Sequence, residues 1–161
     1  MDERELLRAL ERDARLTPAQ LAVMLGRTEG EVRAAIDSLE KRGIVLRYKT
    51  VVNWEKAGEE PVSALIEVKV LPQREVGFDA VAERIYRFPE ARSVALVSGT
   101  FDLLVEVVGK DMKEVANFVA EKLAPLDGVQ GTATHFILRR YKTDGDILSP
   151  EPEVKRLPLV P

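Results

Sequence analysis

Residues 17–33, Thr-Pro-Ala-Gln-Leu-Ala-Val-Met-Leu-Gly-Arg-Thr-Glu-Gly-Glu-Val-Arg, contain two helix starts separated by one short turn. Thr17 and Thr28 are followed three residues later by Gln20 and Glu31, the spacing of a reciprocal helix cap. Pro18 sits where no backbone donor is needed. Leu21, Ala22 and Leu25 supply an inner face, and Gly26 can end the helix in a left-handed conformation. After Thr28, Val32, Ala35, Ile36 and Leu39 keep one apolar stripe as far as Gly43. Upstream, Leu6, Leu7 and Leu10 recur at helical spacing behind a cap formed by Asp2 and Glu5. Three short helices, the last two joined by Gly26-Arg27-Thr28, make a helix-turn-helix pattern.

Beyond Gly43 the period changes to two. Ile44, Leu46 and Tyr48 alternate with Val45, Arg47 and Lys49, which predicts a β ribbon with a basic edge, the wing of a winged helix-turn-helix over residues 1–53. The polar stretch of residues 53–61, with Gly58 and Pro61, reads as a linker, assigned to 54–61. Residues 62–143 then alternate strand, helix, two strands, helix, strand. The strands are expected at 62–71, 93–98, 101–109 and 132–141, and the second helix runs inward through Val115, Phe118, Val119 and Leu123. The order βαββαβ is the ferredoxin-like arrangement, so the fold class is α+β. Helices cover only one face of such a sheet. Leu65, Leu71, Val97, Leu104 and Val108, mixed with Glu67, Lys69 and Glu106, would occupy the other, and a homodimer through that face is the simplest cover. Residues 144–161, rich in proline and acids, read as an extended or disordered tail.

Composition narrows the function. The chain has 161 residues, 24 Lys+Arg against 27 Asp+Glu, no cysteine and one histidine. Binding nucleic acid by bulk charge is excluded, as are disulfides, thiolate zinc sites and a Cys nucleophile. No apolar run is long enough for a membrane helix, and the charged N-terminus does not read as a signal peptide, so a cytoplasmic protein is expected. Residues 1–53 carry a net charge of +1 and residues 54–161 a net charge of −4, and the first segment favours Arg over Lys.

Two segments carry candidate chemistry. In a helix-turn-helix bound to DNA, the third helix enters the major groove. Arg27, Thr28, Glu31 and Arg33 would then lie near bases, with Lys41, Arg42, Arg47 and Lys49 near phosphates. The same helices equally describe a protein-interaction module. Ser98-Gly99-Thr100, before Asp102, reads first as a hairpin turn. It also offers the groups a zwitterionic amino acid requires: exposed backbone donors, hydroxyls and a carboxylate for the ammonium. His135 has no nucleophile beside it and reads as structural, while Glu67 and Glu106 are better salt-bridged by Lys69 than paired for acid/base work. No catalytic residue, metal site or cofactor is expected.

Taken in order, LLRALERDARLTPAQLA, VRAAIDSLEKRGIV, YKTVVNW, VSGTFDLLVEVVGKDM and LDGVQGTATHFILRRYK resemble the Lrp/AsnC (feast/famine) transcription regulators over residues 2–143. The resemblance implies a winged helix-turn-helix joined to an effector-binding and oligomerisation (RAM) domain. It implies dimers assembling to tetramers or octamers on double-stranded DNA. It also implies a small amino-acid effector held where dimers meet, near Ser98, Gly99, Thr100 and Asp102, with Thr134 of the last strand. Many family members have arginine where this chain has Ala35, and its third helix begins unusually acidic. A regulator of amino-acid metabolism genes is therefore the expectation. The alternatives are an architectural DNA-compacting protein and an enzyme resembling sirohaem decarboxylases.

Overall fold

The computed structural model describes residues 2–59, 61–71 and 77–148, and the chain divides after Val52 into two compact units. In the first, α1 (Glu3–Arg12), α2 (Pro18–Leu25) and α3 (Glu29–Lys41) enclose Leu6, Leu21, Val32 and Leu39, all fully buried. Leu7, Leu25, Ala35 and Ile36 pack around that core. Asp2 caps α1 by accepting the Arg4 N–H at 2.9 Å. At α2, Gln20 accepts the Thr17 N–H at 2.9 Å and Thr17 accepts the Gln20 N–H at 3.3 Å. Gly26 ends α2 at φ +62°, and the Arg27 N–H returns to the Ala22 carbonyl at 2.9 Å. That left-handed residue turns the chain within two positions into the cap of α3.

The ribbon expected from residue 44 onward does not form. Residues 46–53 make no strand ladder, and Tyr48 instead donates its hydroxyl to Glu40 at 2.9 Å. A strand needs a second strand for its backbone groups, and no described segment of this chain supplies one. The segment expected as linker begins with a helical turn, α4 (Trp54–Ala57), because Asn53 accepts the Lys56 N–H at 3.1 Å.

The second unit is a four-stranded antiparallel sheet in the order β2-β3-β1-β4, built from β1 (Val62–Val70), β2 (Ala91–Leu96), β3 (Leu103–Gly109) and β4 (Val129–Ile137). With α5 (Phe78–Tyr86) and α6 (Met112–Phe118) it completes βαββαβ. β1 is paired on both edges. Its Ala64, Ile66, Val68 and Val70 face the helices with Leu103, Val105 and Val107 of β3, against Val81 and Ile85 of α5 and Val115 and Phe118 of α6. β4 is set by where β1 can pair it, Ser63 opposite Ile137 and Val70 opposite Val129, so it lies earlier than periodicity indicates.

The helix expected to run to Leu123 changes character after Phe118. Residues Val119–Leu123 form a π turn closed by the Ala124 N–H on the Val119 carbonyl at 2.8 Å. The extra residue in that turn brings Leu123 back toward the side of Phe118, and both are buried. Residues 144–148, expected in the tail, instead complete a hairpin: β5 (Lys142–Thr143) and β6 (Asp146–Ile147) join through Asp144-Gly145, both at positive φ. An Asp-Gly pair suits that two-residue turn. The remainder of the expected tail, 149–161, lies outside the described residues. No helix among the described residues is long and apolar enough to cross a membrane.

Gly128, the turn residue immediately before β4, has φ +91°, and a Cβ there would lie 2.9 Å from Val81 Cγ2 in the core. Gly128→Ala combines left-handed strain with overpacking, and we expect a loss of about 2 kcal/mol or more, measured as a shift in the urea midpoint of the second unit. An unchanged midpoint would mean that the turn relaxes freely.

Candidate nucleic-acid interface and effector loop

All eight predicted DNA-contact residues are exposed, but they divide into two groups. Thr28 and Glu31 hold each other. Thr28 accepts the Glu31 N–H at 3.3 Å, while Glu31 accepts the Thr28 N–H and hydroxyl, both at 2.8 Å. Those hydrogen bonds, with Arg27 nearby, hold the Glu31 carboxyl below its ordinary pKa. Arg33 is engaged by Glu29, one turn earlier, at 2.5 Å, and Arg42 by Glu3 at 2.7 Å. Among the described residues, Arg27, Lys41, Arg47 and Lys49 make no ion pair. The structure therefore leaves four cations free and uses Thr28 and Glu31 to build the helix start.

The face that α3 presents outward joins Lys41 to three residues outside the predicted set, Gly30, Ala34 and Asp37. Opposite Val32 and Leu39, the solvent stripe runs through Gly30, Ala34, Asp37 and Lys41, all exposed. A Cβ at Gly30 would meet nothing within 4 Å. The helical period marks these positions, but small and acidic side chains carry no phosphate-binding signature in sequence.

In the second unit, the Val97 N–H meets the Asp102 carbonyl at 2.9 Å and closes the loop between β2 and β3. Asp102 is bound to β1 twice. Its N–H donates to the Val68 carbonyl at 3.1 Å, and its carboxylate accepts the Val70 N–H at 2.8 Å. That second bond falls where β1 shifts register against β4, between Lys69 and Val70. Ser98, Gly99 and Thr100 are exposed, and Gly99 takes φ +151°. Thr134 is not beside them in the same chain. It lies opposite Ile66, on the helix-facing side, whereas β4 at the level of the loop presents Gly131 opposite Lys69.

The uncovered sheet face carries Leu65, Glu67 and Lys69 of β1 and Leu104, Glu106 and Val108 of β3, as the register requires. Leu71 and Val97 lie beyond the strand ends. The acids are paired differently from expectation. Glu67 meets His135 at 3.2 Å, and Glu106 pairs with Arg140. Lys69 has only Gly131 opposite it and remains exposed.

A capped helix-turn-helix followed by a ferredoxin-like sheet with an exposed, anchored loop defines a two-module transcriptional regulator, one module for DNA and one for a ligand. Sequence comparison matches residues 3–45 to a winged helix-turn-helix DNA-binding domain and residues 63–147 to the Lrp/AsnC ligand binding domain. The chain belongs to the Lrp/AsnC family. It is 46% identical over 160 residues to the HTH-type transcriptional regulator YugG of Bacillus subtilis, covering 99% of this chain and 96% of that one. Among solved structures, E. coli AsnC shares the fold with a TM-score of 0.68 at 18% identity, covering 92% of this chain and 99% of that one. NMB0573 of Neisseria meningitidis, solved with L-Met, gives 0.67 at 24% identity, covering 84% and 86%.

Loss of the cap has a defined cost. Thr28→Ala should destabilise the first unit by about 1 kcal/mol, read by thermal melting. The lowered pKa of Glu31 also fixes a pH dependence. Its contribution is present above the ordinary carboxylate pKa and disappears as pH falls through the lowered one. The parent should therefore lose melting temperature more steeply across that acid window than Glu31→Gln, which keeps a neutral cap. Parallel acid profiles would remove the ionised carboxylate from the account.

Proposed function

We propose that this chain is a sequence-specific DNA-binding regulator of amino-acid metabolism genes, acting in the cytoplasm and modulated by a small amino acid bound between dimers. The observation that carries the reading is the loop of residues 98–100. Its exposed hydroxyls and backbone flank a carboxylate, Asp102, whose position is fixed by β1. The bound L-Met in the Neisseria structure supports an amino acid as the ligand class. Ser98, Gly99 and Thr100 would meet the effector carboxylate, and the free oxygen of Asp102 its ammonium group. Thr134 faces away from this loop within one chain, so a role for it depends on a second chain.

The homodimer is proposed through the uncovered sheet face. Burying Leu65, Leu104 and Val108 there removes apolar surface from water, and further association to a tetramer or octamer would bring effector loops together. The DNA-contact set is Arg27, Lys41, Arg47 and Lys49, with Arg33 and Arg42 released from their acids on binding and Thr28 and Glu31 holding the helix start. Exposed ion pairs are weak enough for a phosphate to compete. An effector acts only through unequal affinity for two assemblies.

Two measurements test this. Fluorescence anisotropy on the duplex upstream of its own gene, against random sequence at matched salt, should show tighter binding to the former. Equal, salt-sensitive binding to both would favour the architectural alternative. Asp102→Asn keeps an acceptor for the Val70 N–H but removes the charge. It should melt close to the parent while needing at least about tenfold more amino acid for the same change in DNA binding, as expected for loss of a charged hydrogen bond. An unchanged response would displace the site from this loop.

A further inference from the structure

Half of the eight arginines in the first unit precede the helix-turn-helix pair. Arg4, Arg8 and Arg12 stand four residues apart on α1, and Arg15 follows in the next turn; all four are exposed. Leu6, Ala9 and Leu10 point the other face of α1 into the core. At about 1.5 Å rise per residue, the row places one guanidinium per roughly 6 Å of helix axis.

Five acids share residues 2–15 with these four arginines, and three of the acids are engaged. Asp2 is the cap of α1, Glu3 is held by Arg42, and Asp13 accepts the Arg15 N–H at 2.9 Å. Glu5 and Glu11 remain, at separations of three residues from Arg8, yet none of the four arginines makes an ion pair among the described residues. Arginine rather than lysine at every position matters, since its planar fork matches two phosphate oxygens at once. The row also belongs to a different helix face from the α3 stripe of Gly30, Ala34, Asp37 and Lys41.

We infer that the outward face of α1 is a second DNA-contact surface, which binds the sugar–phosphate backbone without reading bases and holds duplex beyond the half-site in the groove of α3. The inference rests on the DNA-binding reading above. It gives the module two separable contributions: base preference from α3, and sequence-independent, salt-sensitive affinity from α1.

The full chain tests it on a duplex several helical turns longer than the bound site, with affinity followed against salt concentration. R4Q/R8Q/R12Q should lower the slope of log affinity on log salt by about two to three, since each phosphate contact contributes roughly 0.9. The ratio of upstream to random-sequence affinity should stay unchanged. R4K/R8K/R12K should restore most of the slope. A glutamine variant with the parent's slope overturns the inference, and so does a lysine variant as defective as the glutamine one. If the glutamine variant changes sedimentation but not slope, the row binds the acidic half of another copy, which also overturns it. Failure of the parent to bind either duplex would instead defeat the DNA-binding reading itself.

Discussion

The position of β1 governs the second unit. It is hydrogen-bonded on both edges, and its alternate residues Ala64, Ile66, Val68 and Val70 are the centre of the core. A slip of one residue would turn those four outward and bring Leu65, Glu67 and Lys69 inward. Asp102 resists that slip at the strand's end, because its backbone and carboxylate bind Val68 and Val70 together. The same residue thus fixes the register of the core strand and anchors the exposed loop before it. Glu67, Glu106 and His135 share the uncovered face as a consequence of that register.

In the first unit the equivalent constraints are local. Both capping boxes close over three residues, and Gly26 between them makes the turn. Such features are legible in sequence because donor and acceptor are fixed by spacing along one helix. The core of three helices was legible for a related reason: Leu6, Leu21, Val32 and Leu39 follow the helical period and are fully buried. Alternation likewise placed Leu65, Leu104 and Val108 together on one sheet face.

What sequence spacing did not reveal depends on partners distant in the chain. Thr134 alternates with His135 whichever way the strand faces, and only its pairing with Ile66 places it on the helix side. His135 reaches Glu67 through the β1–β4 register, while Arg140, past the end of β4, reaches Glu106 from a segment with no strand periodicity. The alternation at residues 44–49 is a strand pattern without a strand, since the pattern describes side chains and the ladder requires a second backbone. The π turn has a different origin. An α-helical continuation would separate Phe118 and Leu123 around the axis, and burying both favours the wider turn. The Asp144-Gly145 pair is itself a hairpin signal, although the proline-rich composition that follows it resembles a tail.

The acidic start of α3 shows how an apparent obstacle to DNA binding can be part of the scaffold. Counted by formal charge, Glu29 and Glu31 repel phosphate. Glu31, however, accepts two hydrogen bonds from Thr28, and Glu29 holds the Arg33 guanidinium. Without Glu31, the first turn would lose half of its reciprocal cap, and without Glu29 the Arg33 side chain would sample many rotamers. The acid nearest to Arg33 therefore restricts the cation that a phosphate would recruit, at the cost of a weak exposed pair that must open. Asp37 has no such partner among the described residues and lies centrally on the outward stripe. Its charge is the part of the acidic helix that scaffolding does not explain. A carboxylate there disfavours phosphate, but it can accept from the amino group of cytosine. In this helix Glu29 and Glu31 are thus already engaged within the scaffold, and Asp37 is not.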